Sequence, residues 1–438
     1  MNKRVLFTFL SFVFIVVGTI LAIRYAEGYR PTTHGIVKAT GLLAANSFPN
    51  GASLYINGNL TSATDTTINL SPGSYDLEIR KEGYFPWRKK VELDSELVTQ
   101  TNAMLFPTAP GLSPLTYIGA DHIFPSPDGQ KLLFMTASAS AQHDNGLYIL
   151  DLSDNPLALQ RGPRQIAQET SNSPFEKAQY LWSPDSNQVL VSWGNKNILL
   201  DANRFTDMET AQDITVHLTD TLATWKTELD RQTQVALSRF PSLIQQIATG
   251  SAIQVHISPD QYKLLYTATA SATLPATLLS PVPAADSQPQ ERTIAPGNTY
   301  VYDRREDRNF LVEQVTPVST PTPSPLPKNE KKSEQPALVV ATPQKPSIFT
   351  TIDVFNAQYS GFYTHSAQWL PDSRHVIIEG PGSITIIEYD GTNTTQIYAG
   401  PFIPGVIYPS PNGSEIIILT NFNQPSTVPQ NLYAVSLK

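Results

Sequence analysis

One short unit recurs five times between residues 112 and 438 and constrains the fold more than any other feature. Phe124-Pro125-Ser126-Pro127-Asp128-Gly129 precedes Lys131-Leu132-Leu133-Phe134, and Trp182-Ser183-Pro184-Asp185-Ser186 precedes Val189-Leu190-Val191. Ile257-Ser258-Pro259-Asp260 precedes Lys263-Leu264-Leu265-Tyr266. Trp369-Leu370-Pro371-Asp372-Ser373 precedes His375-Val376-Ile377-Ile378, and Tyr408-Pro409-Ser410-Pro411-Asn412-Gly413 precedes Glu415-Ile416-Ile417-Ile418. In each copy an aromatic or apolar residue ends one strand. Pro127, Pro184, Pro259, Pro371 or Pro411 then fixes φ at the first central turn position. Asp128, Asp185, Asp260, Asp372 or Asn412 bonds its own backbone nearby, and an apolar strand leaves the turn.

Several copies close with a further strand, such as Leu147-Tyr148-Ile149-Leu150, Thr299-Tyr300-Val301-Tyr302 or Ile384-Thr385-Ile386-Ile387. Multi-strand units repeated in this way predict a β-propeller over 112–438. Only the last spacing, Pro371 to Pro411, is near the ~40 residues of one blade, so insertions interrupt the ring and leave the blade count open. The turn motif resembles the Ser-Pro-Asp-Gly repeat of TolB-type propellers, which also occurs in the propellers of some serine peptidases. Two insertions are legible. Leu222, Trp225, Leu229, Ala236, Phe240, Leu243 and Ile247 recur at helical spacing, which predicts helices over 219–248 broken at Pro241, packed as an arm on the propeller. Residues 313–347 hold eight prolines among Thr, Ser and charges and read as an extended loop, as does 273–297.

Residues 41–106 read as a separate module of short alternating strands. Ser53-Leu54-Tyr55-Ile56 is followed by Asn57-Gly58, a pair suited to a tight hairpin turn. Tyr75, Leu77 and Ile79 share one face, opposite Asp76, Glu78 and Arg80, and Trp87, Val91 and Leu93 continue the apolar set. The pattern predicts a small antiparallel sandwich. Pro49-Asn50-Gly51-Ala52, Leu54-Tyr55-Ile56-Asn57-Gly58, Leu70-Ser71-Pro72-Gly73-Ser74-Tyr75 and Arg80-Lys81-Glu82-Gly83-Tyr84, in that order, resemble a PEGA domain. Asn50 stands where that family's name-giving motif has Glu. The resemblance implies a β-sandwich of bacterial surface and envelope proteins and brings no catalytic residues. Within the module, Tyr84, Phe85, Trp87, Arg88 and Lys89 form a candidate binding patch, since aromatics with cations stack on sugars or meet anionic polymer. The plainer reading, that the aromatics fill the core and the charges solvate an edge, is favoured.

Ahead of both regions, Val5 to Ile23 is uncharged and almost wholly apolar. At about 1.5 Å per residue it spans roughly 28 Å, enough for a bilayer core. Its length favours an uncleaved anchor over a cleaved signal peptide, whose apolar core is about 7–15 residues. Lys3 and Arg4 precede it, which predicts residues 1–4 as a cytoplasmic tail, 24–40 as a linker and the mass of the chain outside.

The search for chemistry returns little. A net charge of -8 disfavours nucleic acid, and the absence of Cys excludes disulfides, thiolate metal sites and Cys nucleophiles. The seven His show no metal-ligand spacing, and no hydrolase elbow, phosphate loop or dinucleotide fingerprint occurs. The repeated acids belong to equivalent turns, not to one site, and the chain offers no place for the hydrolase domain of propeller peptidases. The expectation is therefore a mainly β, non-enzymatic, membrane-anchored envelope protein without cofactor or metal. It would bind an envelope protein or a surface glycan. The alternative is a carbohydrate-active enzyme using carboxylates in the propeller channel.

Overall fold

The computed structural model describes residues 3–26, 30–31, 37–38, 40–153, 162–280, 282, 286–314, 352, 367–421 and 429–438. The Pro-rich stretch 313–347 lies outside them apart from its first two residues, and so does part of the 24–40 linker. Helix α1 (Lys3–Ala26) contains an 18-residue window, Leu6–Ile23, of mean hydropathy 2.7 with nothing buried against the rest of the chain. By length and composition it can cross a membrane, a test that a signal sequence also passes.

The sandwich has a four-stranded sheet in the order Asn59–Ala63, Ser53–Ile56, Gly73–Arg80, Trp87–Leu93. A three-stranded sheet in the order Thr66–Leu70, Gly41–Phe48, Val98–Met104 covers it. Asn57 and Gly58 both have positive φ (49° and 80°), as the tight hairpin requires. One pairing departs from the all-antiparallel expectation: Val98–Met104 runs parallel to Gly41–Phe48. After Leu93 the chain crosses to the other sheet instead of turning back on its own, so it enters in the same direction as the first strand. Leu43, Leu54, Leu77, Ile79 and Trp87 fill the space between the sheets, each burial worth about 1.5–3 kcal/mol.

Five four-stranded sheets follow among the described residues. From innermost to outermost strand, blade I is Asp121–Pro125, Lys131–Thr136, Gly146–Asp151, Arg164–Gln168, and blade II is Gln179–Trp182, Gln188–Trp193, Lys196–Asp201, Gln212–Asp213. Blade III is Ala252–Ile257, Lys263–Ala268, Thr299–Asp303, Arg308–Glu313, and blade IV is Ala367–Trp369, His375–Gly380, Ser383–Glu388, Thr395–Ala399. Blade V takes Ile407–Pro409, Glu415–Thr420 and Asn431–Ser436 from the end of the chain, while its outermost strand, Leu112–Pro114, comes from the start of the region. That exchange closes the ring.

Alternation along each strand gives a blade two apolar faces, and most are covered by the neighbouring blade. Leu133 and Ile149 of blade I meet Val189 and Val191 of blade II, and Leu132 and Phe134 meet Ile417 and Leu419 of blade V. Leu265 and Val301 of blade III meet Val376 and Ile387 of blade IV. Between blades II and III the pattern changes. Leu190 of blade II packs on Leu218, Leu222 and Trp225 of helix α2 (Leu218–Leu237) and on Ile352. Leu264, Tyr266 and Tyr300 of blade III pack on Phe240 and on Ile244 and Ile247 of helix α3 (Ser242–Gly250). The helices expected as an arm packed on the propeller do pack on it, lying between blades II and III. The stretch expected as a loop at 273–297 also has structure: Ala272–Thr273 pairs with Thr293–Ile294, and Leu274 and Ile294 are buried against blade III.

The five turns share one geometry. The residue after the acid or amide lies at positive φ in each: Gly129 68°, Ser186 59°, Gln261 63°, Ser373 58° and Gly413 63°. The side-chain oxygen of Asp128, Asp185, Asp260, Asp372 or Asn412 accepts a backbone N–H two residues on, at 2.8–3.1 Å. In four turns a serine hydroxyl (Ser126, Ser183, Ser258, Ser410) accepts the N–H that opens the next strand. Leu370 replaces it in blade IV, and Asp372 accepts the His375 N–H instead. The tryptophans of two copies join blades: Trp182 Nε1 donates to the Phe124 carbonyl and Trp369 Nε1 to the His256 carbonyl, both at 3.1 Å. Trp369→Phe is expected to lower stability by about 1–3 kcal/mol through the orphaned carbonyl and lost packing, read as a shift in the urea midpoint.

Candidate functional site at the sandwich–propeller junction

The sandwich sits on the turn face of blades III to V, and the candidate patch residues divide there. Trp87, Lys89, Val91 and Leu93 share the inward phase of their strand, so Lys89 occupies a slot that the alternation reserves for an apolar side chain. Its ammonium reaches past the end of the sandwich core into three propeller carboxylates: Asp286 at 3.2 Å, Glu388 at 3.1 Å, and Asp390. The indole N–H of Trp87 donates to the same Glu388. Lys89 and all three carboxylates are largely buried. Burial alone would lower the Lys89 pKa, but Glu388, Asp390 and Asp286 outweigh it and raise it. Burial would raise Glu388 and Asp286, and the Lys89 charge holds both below the usual range. Asp390 gives way: burial, with Glu388 and Asp286 beside it, pushes its carboxyl up to about 7 against the pull of Lys89.

Backbone contacts frame this knot. The Arg88 N–H donates to Asn393 Oδ1 at 2.8 Å, and the Lys90 carbonyl accepts from Ser287 Oγ and Gln288 Nε2 at 3.0 and 2.6 Å. The stretch that supplies Asp286, Ser287 and Gln288 is the insertion expected as a loop. Phe85, Met104 and Phe106 add an apolar contact with the core shared by blades IV and V. Of the five patch residues, Trp87, Lys89 and Phe85 therefore face the protein itself. Tyr84 packs on the sandwich core while also lining an open groove of about 580 Å³ with Arg80, Lys81 and Arg88. The cations of that groove are engaged internally: Glu78 binds Arg80 at 2.5 Å and Arg88 at 2.7 Å, and Lys81 Nζ donates to the Asn50 carbonyl at 2.7 Å.

A different cavity lies on the other side of the junction, and no residue of the patch lines it. It measures about 520 Å³ and runs between the outer surface of the strands Gly41–Phe48 and Val98–Met104 and the turns of blades IV and V. Its sandwich wall is Asn46, Phe48 and Asn102, and its propeller wall is Pro371, Arg374 and Pro411, with Lys438 beside them. Phe48 is 50% exposed. Asn46 Nδ2 donates to Asn102 Oδ1 at 3.0 Å, and neither Asn46 Oδ1 nor Asn102 Nδ2 is used in a hydrogen bond among the described residues. Pro371 and Pro411 thus do more than shape their turns; they form one wall of a cleft. The sequence signal for it is faint: a large apolar Phe48 on the outward phase of its strand. No group of three or more His, Asp or Glu side chains suited to a metal is assembled among the described residues.

The comparisons with known proteins match this architecture in two pieces. Residues 40–109 match the PEGA domain family model, so the sandwich is a PEGA domain. No curated protein matches the chain. Similar solved structures include a protein described as TolB from Agrobacterium tumefaciens, at 11% identity over 74% of this chain and 89% of that one, TM-score 0.22. TolB from Acinetobacter baumannii is 11% identical over 83% of this chain and 60% of that one, TM-score 0.21. The β-propeller domain of Cps50 (Swd1) from Myceliophteria thermophila is 12% identical over 75% of this chain and all of that one (100%), TM-score 0.27. The propeller itself stands on the five four-stranded sheets and on the strand exchange in blade V.

Proposed function

We propose that this chain is a non-enzymatic, membrane-anchored envelope protein that binds a surface glycan in the groove between its PEGA domain and its propeller. One observation carries the reading: a groove of about 520 Å³ sets a half-exposed aromatic ring beside a pair of amides, at a junction held by buried ion pairs. An aromatic wall packs on the apolar C–H face of a sugar, and planar amides match its hydroxyl pairs. The groove is of a size that takes a few sugar units, and it needs both domains in place. The anchor assignment rests on α1, and the outward orientation on Lys3 and Arg4 before it.

The rival reading, a glycosidase using the propeller channel, needs two carboxylates across a scissile bond. Among the described residues the innermost strands carry one, Asp121, which favours binding over catalysis. The test is a panel of envelope glycans against the full chain in lipid nanodiscs. Phe48→Asp is expected to weaken the best binder about tenfold or more without shifting the melting temperature, because the ring is half-exposed. Binding unchanged in that variant, or no binding by any glycan, sinks the proposal.

A further inference from the structure

Resting on the groove reading above, the charges at the groove define the ligand more closely. Its carboxylates already have donors. Asp65 Oδ1 accepts the Ser47 N–H at 3.0 Å. Asp372 accepts the N–H groups of Arg374 and His375 at 2.9 and 3.1 Å, and its other oxygen meets His375 Nδ1 at 2.5 Å. The cations are in the opposite state. Among the described residues the Arg374 guanidinium makes no ion pair or hydrogen bond, although it lines the cavity and is only partly exposed. Lys438 Nζ stands 5.5 Å from the centre of the Phe48 ring and donates one bond, to the Asn412 carbonyl at 3.3 Å, so two of its three hydrogens are unused.

We infer that the groove selects an acidic glycan, one whose sugar carries an oxyanion, with Arg374 as its anchor and Lys438 as a second contact. A guanidinium offers paired donors that match a carboxylate or phosphate bidentately, and an ammonium adds a point charge without fixed direction. Asp65 and Asp372 keep their negative charge, so the attraction for an oxyanion is local to the free donors of Arg374 and Lys438. A neutral sugar would leave the Arg374 donors to water, whereas an anionic one replaces that water with a charge-assisted bond. This assignment also gives the Arg374 side chain a task, since it braces neither the turn it belongs to nor the sandwich opposite.

The experiment measures binding of three probes to the full chain in nanodiscs of zwitterionic lipid: a hexamer of uronic acid, a glycerol-phosphate oligomer and a neutral glucose hexamer. At least one acidic probe is expected to bind about tenfold or more tightly than the neutral one, and to weaken as salt rises. Which acidic probe wins identifies the oxyanion as carboxylate or phosphate. Arg374→Gln is expected to bring acidic and neutral probes level, and Lys438→Gln to have a smaller effect in the same direction. Neutral and acidic probes binding equally, with Phe48→Asp weakening both, would overturn the inference and leave the groove reading in place. Acidic binding indifferent to Arg374→Gln would also overturn it. Failure of all three probes would remove both.

Discussion

Replacing Lys89 by Met is expected to cost about 3–5 kcal/mol, the usual loss when one member of a buried ion network is removed. The substitution keeps the stem and deletes the charge. Asp286, Glu388 and Asp390 would then face one another without a cation, and Trp87 would keep its bond to a carboxylate that the site no longer favours in ionised form. The loss should fall on the joint, because the sandwich has its own core around Leu43, Leu54 and Ile79. Calorimetry is expected to separate one cooperative transition into two. Hydrogen exchange should accelerate at 87–90, 286–288 and 388–393 while the blade I and II strands stay protected. A variant that melts in one step at the parental temperature would show that the ion network does not hold the domains together. Replacing all four charged groups by apolar ones of similar volume should recover much of the loss.

The second large effect is in pH. The Asp390 carboxyl is raised to about 7 in the folded protein, whereas in the unfolded chain it returns to the ordinary range near 3.8. Between those values the folded state holds a proton that the unfolded state has released. Stability from this group is therefore full below the unfolded pKa and is lost as pH rises through the folded one. Asp286 and Glu388 act the other way: their lowered pKa values contribute stability that is present above the unfolded pKa and lost on acidification. Asp390→Asn removes the first term and keeps the others. Near pH 3, below the unfolded pKa, the variant should match the parent closely, since Asn mimics the protonated acid, and by pH 5 it should already lead by about 1.6 kcal/mol. By pH 8 it should be the more stable, by up to about 4 kcal/mol from a three-unit shift at ~1.4 kcal/mol per unit. Melting temperatures of both proteins across that range check it. A gap that stays constant with pH, or narrows as pH rises, refutes the assignment.

What could be read from the chain alone follows the range of the interactions. The turns were legible because every partner lies within five residues: the proline, the acid, the positive-φ residue and the serine that opens the next strand. The PEGA sandwich was legible for the same reason, through Asn57-Gly58 and the alternation of Leu77 and Ile79. Its one parallel pairing was not, because no local pattern says to which sheet Val98–Met104 will cross. The helices 219–248 were visible by their spacing, but spacing shows that a stripe is covered and not that two different blades cover it. The junction was hidden for the plainest reason: Lys89 and Glu388 are 299 residues apart. A single hint existed, a lysine on the apolar phase between Trp87 and Val91. It is a mark of a buried charge with a distant partner, and it separates Lys89 from its solvent-facing neighbours Arg88 and Lys90.

The closure of blade V sets an order on biosynthesis. Leu112–Pro114 is made soon after the sandwich, yet its strand partner among the described residues, Asn431–Ser436, is made about 300 residues later. At about 5–20 residues per second the early strand waits on the order of tens of seconds with an open edge. During that interval the sandwich also lacks Glu388 and Asp390, so Lys89 is solvated and the two domains are free of each other. Nearby nascent copies would share that vulnerable stage, and an open edge is where strands pair wrongly. The ring closes only with Asn431–Ser436, so a product cut short of that strand would leave Leu112–Pro114 unpaired.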